Sequence, residues 1–199
     1  MTTAGRPRTF DETEVLDRAV ELFWRSGFRD TTTRELETEL GISQSSLYNT
    51  FGSKRGLMAA ALDRYEDMTS AALVEPLESG SHGMDAVGTF FDALFAWVSG
   101  VGRGGCLLIN LMAETGSADA EISKRTSAYR VRVRDALRGA LQRAVDAGEA
   151  TPDHIDVRAD LLFGEVLGIN IAARGGAGSD EVGRLVAGAH HLINSWRIG

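Results

Sequence analysis

Residues 32 to 51 constrain this chain most: two stretches of helical spacing, each about two turns long, flank Gly41-Ile42-Ser43. Thr32 followed three residues later by Glu35 is a capping-box pattern, and the stretch it opens carries Leu36 and Leu40 up to Gly41. Glycine tolerates the left-handed backbone of a sharp turn, and Ser43 can cap the second stretch, Gln44 to Phe51. Leu36, Leu40, Ile42, Leu47 and Phe51 are spaced to hold the two together, which predicts a helix-turn-helix. Upstream, Val15, Leu16, Ala19, Val20 and Phe23 recur at helical spacing before Gly27, giving a preceding first helix.

The rest of the chain also reads as helix. Gly52 and Ser53 punctuate, and Lys54 to about Ser79 forms one long helix with Leu57, Ala61, Leu62 and Tyr65 on a face and Pro76 kinking its end. A Ser/Gly-rich break at 79 to 83 precedes an apolar helix bearing Phe90, Phe91, Leu94, Phe95, Trp97 and Val98. After the flexible glycine connection Gly100 to Gly105 come a helix from Cys106 to Thr115, a long Arg-rich helix from Ala118 to about Ala147, and two helices filling 155 to 174 and 180 to 197. Only three prolines interrupt the chain and no strand pattern appears, so an all-α fold of about nine helices is expected. On the penultimate helix Leu161, Leu162, Phe163, Val166, Leu167, Ile169 and Ile171 leave almost no polar face; on the last, Val182, Leu185, Val186, Ala189, Leu192, Ile193 and Trp196 form a stripe. Leu162, Val166, Ile169, Leu185, Val186, Ala189, Ile193 and Trp196 are read as a homodimer seam, although a monomer core would use the same residues.

Composition excludes several classes. Of 199 residues 43% are apolar, far from the disordered range. Cys106 is the one cysteine, so neither an intramolecular disulfide nor a thiolate metal cluster can form, and a reducing cytoplasm fits best. There is no leader pattern at the N-terminus and no membrane-length apolar run. His82, His154, His190 and His191 lack metal-ligand spacing, so no metal site is expected. Gly100 to Gly105 lacks a P-loop ending, and without a nucleophile beside a base, paired carboxylates at helical spacing or a cofactor fingerprint, no enzyme and no cofactor are expected. The net charge of −7 is unevenly spread: residues 1 to 60 hold eight basic against nine acidic residues, and 61 to 199 hold thirteen against nineteen. Phosphate attraction is local and screened beyond about 10 Å, so an acidic remainder does not forbid nucleic acid.

In a helix-turn-helix the second helix enters the major groove with its N-terminal residues against base edges, which puts Gln44, Ser45 and Ser46 there and Asn49 one turn later. Gln and Asn can pair with adenine and Ser with several bases. Thr33, Tyr48, Thr50 and Lys54 suit phosphate, and Arg6 and Arg8 offer further contacts from an N-terminal arm. Thr31-Thr32-Thr33-Arg34-Glu35-Leu36 through Gly41-Ile42-Ser43, followed by Leu47-Tyr48-Asn49-Thr50-Phe51-Gly52-Ser53-Lys54, resembles the signature of the tetracycline-repressor (TetR) family over roughly residues 10 to 60. The chain departs from it at Glu37 and Leu40, where many members carry small alanines, and at Asn49, where a histidine is common. With the signature, the candidate DNA contacts are Thr32, Thr33, Arg34, Gln44, Ser45, Ser46, Tyr48, Asn49, Thr50 and Lys54.

The resemblance implies a DNA-binding domain over 1–53, a helical effector-binding and dimerisation domain over 54–199, double-stranded operator DNA and a second copy as partners, and repression released by a small molecule. A small apolar or amphipathic effector would meet Met68, Phe90, Phe91, Phe95, Cys106, Met112 and Tyr129, with Trp97 nearby, although an ordinary helical core has the same composition. Cys106, at a helix start close to Arg103, has the surroundings of a redox sensor and equally those of a small buried hydrophobe. A body that only dimerises, without a ligand, is the rival organisation.

Overall fold

In the computed structural model, which describes residues 10–80 and 83–198, Asp11 opens α1 (Glu12–Ser26) by accepting from the amides of Thr13 and Glu14. Gly27, at φ +79°, ends it. The capping box of Thr32 and Glu35 starts α2 (Thr33–Leu40), Gly41 adopts the left-handed conformation at φ +67°, and Ser43 caps α3 (Gln44–Phe51). Ser53 then accepts from the Gly56 amide at the head of α4 (Lys54–Thr69). Arg6, Arg8 and His82 lie outside the described residues.

The chain forms two compact units that meet within α4, between Glu66 and Asp67. This boundary falls later than the start of α4 because the first turns of that helix complete the N-terminal core. Leu57, Met58, Ala61, Leu62 and Tyr65 are buried there, as are Val20, Leu22, Phe23, Leu36, Leu40 and Leu47. The Tyr65 ring meets Trp24 edge-on at 5.3 Å, and Arg64 makes a two-pronged ion pair with Asp17 at 2.7 and 3.2 Å.

Beyond α4 the backbone widens into a π-turn (Ser70–Val74) before α5 (Glu75–Ser79). Pro76 lacks an amide hydrogen and its ring crowds the carbonyl four residues back, so the ladder shifts and the Glu75 amide donates to Ser70 instead. The kink expected at Pro76 therefore takes the form of a π-turn. With α6 (Gly83–Ser99), α7 (Leu107–Thr115), α8 (Ala120–Asp146), α9 (Ile155–Arg174) and α10 (Ser179–Ser195), and with the consecutive α4, π-turn and α5 counted together, the described residues hold nine helices. They contain no strand beyond the single bridge Ala150–Arg197.

In the second unit α8 packs against α6, α7 and α9, and α10 against α6 and α9. The Arg-rich run of α8 is largely matched by acids: Arg132 holds Glu78 at 2.8 Å through two bonds, Arg134 holds Asp160 at 2.5 Å, and Arg138 holds Asp156 at 2.8 Å. The Arg132 guanidinium, by hydrogen bond and charge, keeps the Glu78 carboxyl below the usual carboxylate range, and Arg134 does the same to Asp160. The connection Gly100 to Gly105, expected as a flexible link, is a hydrogen-bonded turn that rests on α9; a Cβ at Gly105 would lie 2.4 Å from the Asn170 carbonyl.

The head of α6 approaches α8 as closely: a Cβ on Gly83 would stand 2.3 Å from the Ala144 nitrogen. Gly83→Ala is expected to cost about 1–3 kcal/mol in urea unfolding. Gly139→Ala, whose new methyl meets only the end of Arg143 at 3.5 Å, should instead gain up to about 1 kcal/mol.

Candidate nucleic-acid interface and body cleft

The α3 helix turns Leu47 into the core and presents Gln44, Ser45, Tyr48 and Asn49 to solvent, with Tyr48 42% exposed. Ser46 and Thr50 are half-buried. The start of α3 is heavily capped: Ser43 Oγ accepts from the Ser46 amide at 3.2 Å and bonds the hydroxyls of Ser45 and Ser46 at 2.9 and 3.0 Å. Glu37, reaching across from α2, accepts the Gln44 amide at 2.5 Å. The sequence showed Glu37 only as an unusual residue at the crossing of two helices; its carboxylate is in fact the link between them.

Two sequence candidates have structural work of their own. Thr32 is committed to its cap, where its hydroxyl donates to Glu35 at 2.9 Å and its amide at 2.7 Å. These hydrogen bonds hold the Glu35 carboxyl below its ordinary value. The Lys54 ammonium donates to the carbonyls of Thr31 and Arg29 and lies 4.7 Å from the centre of the Phe28 ring. It clasps the link between α1 and α2, while Thr33 and Arg34, half-buried and exposed, sit at the head of α2.

The comparisons with known proteins agree with this geometry. Residues 15–61 match the family described as "Bacterial regulatory proteins, tetR family", and residues 83–184 match "Tetracyclin repressor-like, C-terminal domain". The uncharacterized HTH-type transcriptional regulator YezE of Bacillus subtilis (strain 168) is 32% identical over 78% of this chain and 80% of its own.

The chain belongs to the TetR family. It is a transcriptional regulator with an N-terminal helix-turn-helix and a helical C-terminal domain. The HTH-type transcriptional repressor ComR of Escherichia coli (strain K12) is 30% identical over 89% of this chain and 86% of its own. In fold, this TetR-family chain resembles a cysteine mutant of the regulator CifR solved with a 26-bp double-strand operator DNA, at TM-score 0.84, 23% identity and coverage of 96% and 100% of the two chains.

In the second unit of this TetR-family regulator the expected pocket residues scatter. Phe91 and Cys106 fill the core, Met68 is 44% exposed, and Phe95, Met112 and Tyr129 are half-buried. Only Phe90 borders the apolar cleft of about 350 Å³ between the π-turn, α5 and α6, whose other walls include Leu73, Pro76, Leu77, Ala86 and Thr89. Asp85 stands at its edge, 2.5 Å from Arg197.

Most of the residues expected at the seam lie inside the single chain. Leu162, Val166, Ile169, Val186, Ala189 and Ile193 are enclosed within the single chain and offer no surface to a second copy. Leu185 and Trp196 are half-buried, and Trp196 has the Arg158 guanidinium 5.3 Å from its ring. The apolar stripe left exposed on α9 is Val157, Leu161, Gly164, Gly168 and Ile171, at alternating spacings of four and three. Among the described residues no helix is long and apolar enough to cross a membrane, and no group of three or more His, Cys, Asp or Glu side chains has a metal-binding arrangement.

Contact and scaffold roles separate by measurement. Tyr48→Ala and Asn49→Ala should weaken DNA binding while leaving the unfolding midpoint of free protein nearly unchanged, whereas Lys54→Met should lower that midpoint in the absence of DNA. The capping box adds a pH signature. Because the folded-state value for Glu35 is depressed, its contribution is present above the unfolded carboxylate value of 4.5 and is lost as pH falls through the folded one. Glu35→Gln should flatten that part of the acid-unfolding profile.

Proposed function

We propose that the chain is a repressor that binds operator DNA as a homodimer in the cytoplasm and leaves it when a small apolar molecule enters its body. The observation that carries this reading is α3 itself: a capped helix with one apolar face buried and a polar, uncharged face of Gln44, Ser45, Tyr48 and Asn49 exposed. Such a face reads bases by hydrogen bonds, while Arg34, Thr33 and the flanking amides supply the phosphate contacts. The operator complex of CifR and the repressor name of ComR support the same reading. Two copies would set their reading helices one DNA turn apart, about 34–36 Å.

The exposed stripe of α9 is suited to the dimer. Gly164, Gly168 and, on α10, Gly188 meet no neighbour within 4 Å where a Cβ would be, so a second copy's helices can approach closely. Val157, Leu161 and Ile171 then bury apolar surface that water now covers. Leu161→Asp should convert the dimer to monomer in sedimentation velocity and reduce operator affinity with it, and a dimer that survives both Leu161→Asp and Gly168→Arg would remove this seam.

For the effector, the apolar cleft beside the π-turn has a volume within the small-molecule range of about 300–1,000 Å³. The Asp85–Arg197 pair leaves little net charge at its edge, so an uncharged apolar molecule fits its chemistry. The experiment is a thermal-shift screen of apolar metabolites, followed by operator release measured with each compound that stabilises the protein. Ala86→Trp, which fills the cleft, should retain DNA binding and lose both responses. A stabilising compound that still releases the filled variant would place the effector elsewhere, and a body that no compound stabilises would favour a purely dimerising domain.

A further inference from the structure

We propose that Glu37 itself reads one base pair, favouring a cytosine beside the base that Gln44, the first residue of α3, contacts. The inference rests on α3 being the reading helix, as argued above. Glu37 lies on α2, half-buried, with one carboxylate oxygen 2.5 Å from the Gln44 amide. That bond ties the carboxylate to the end of α3 that faces base edges, so it travels wherever Gln44 goes.

Two features give it a role beyond capping. Ser43 already caps α3 through the Ser46 amide, so the helix does not depend on Glu37 alone. Its second oxygen has no protein hydrogen bond, and no arginine or lysine pairs with it among the described residues, although Arg25 pairs with Glu39 nearby on the same helix. An unmatched carboxylate on a phosphate-facing surface opposes DNA binding in general. It is accommodated where its free oxygen meets a donor, and in the major groove the donor suited to a carboxylate is the cytosine N4 amine. The same oxygen rejects guanine, whose groove edge offers two acceptors at that place. Glu37 therefore converts a local repulsion into discrimination at one base pair.

The test is selection from a randomised DNA pool by the full-length dimer, with wild type, Glu37→Gln and Glu37→Ala compared after thermal unfolding has confirmed that each is folded. Wild type should retain cytosine at one position in each half-site. Glu37→Gln keeps an oxygen for the Gln44 amide but presents an NH₂ group, so the cytosine preference should drop about tenfold at that position and shift towards an acceptor-bearing base, with the other positions unchanged. Glu37→Ala should lose the preference there without gaining another. If both variants keep the wild-type consensus and merely bind all DNA more tightly, Glu37 acts only as a cap and a charge, and the proposal falls alone. A wild-type protein that selects no consensus removes the DNA-reading account and this proposal with it.

Discussion

An eight-residue helix does not hold together in water by itself, and both α2 and α3 are that short. Everything the reading end does depends on the buried Leu36, Leu40 and Leu47 that fix these helices against the core shared with α1 and α4. Each end is then finished by a local device: the Thr32–Glu35 box, the left-handed Gly41, the Ser43 cap and the Glu37 bridge. The exposed residues of α3 are free to be polar because none of them is needed for packing. Charge follows the same division. The N-terminal unit carries little net charge, and Lys54, the residue most easily taken for a phosphate anchor, holds loop carbonyls.

The helix boundaries of the N-terminal unit were readable in the sequence because they are set by neighbours three or four residues apart. The Thr32 box, the Gly41 turn and the Ser43 cap need no tertiary information, and helices α2 and α3 begin and end where those residues predict. Lys54 and Glu37 were not readable in the same way. Their partners are Thr31, Arg29 and Gln44, and the choice between solvent, DNA and protein is made by the way the helices cross.

The C-terminal unit shows the limit of apolar patterning more sharply. The penultimate helix is apolar on two sides, so its sequence cannot say which stripe a monomer claims. The monomer takes Ala159, Leu162, Val166 and Ile169, leaving Val157, Leu161 and Ile171 outside. The small residues Gly164 and Gly168, which carry almost no hydrophobic signal, mark the outer stripe better than its leucine does. Aromatic residues do not mark the cleft either: Phe91 is fully enclosed, and beside Phe90 the walls are mainly Leu, Ala and Pro side chains around a backbone irregularity that Pro76 brings about.

The proposed regulation rests on α3 reading DNA sequence. Its most direct measurement is fluorescence anisotropy of purified protein across a salt series, with DNA flanking its own gene and a scrambled duplex of equal composition. A reading helix gives preference for the flanking DNA, affinity that falls steeply with salt for both duplexes, and loss of the preference in Gln44→Ala together with Asn49→Ala. Equal binding of both duplexes that persists against a genomic DNA library would contradict it.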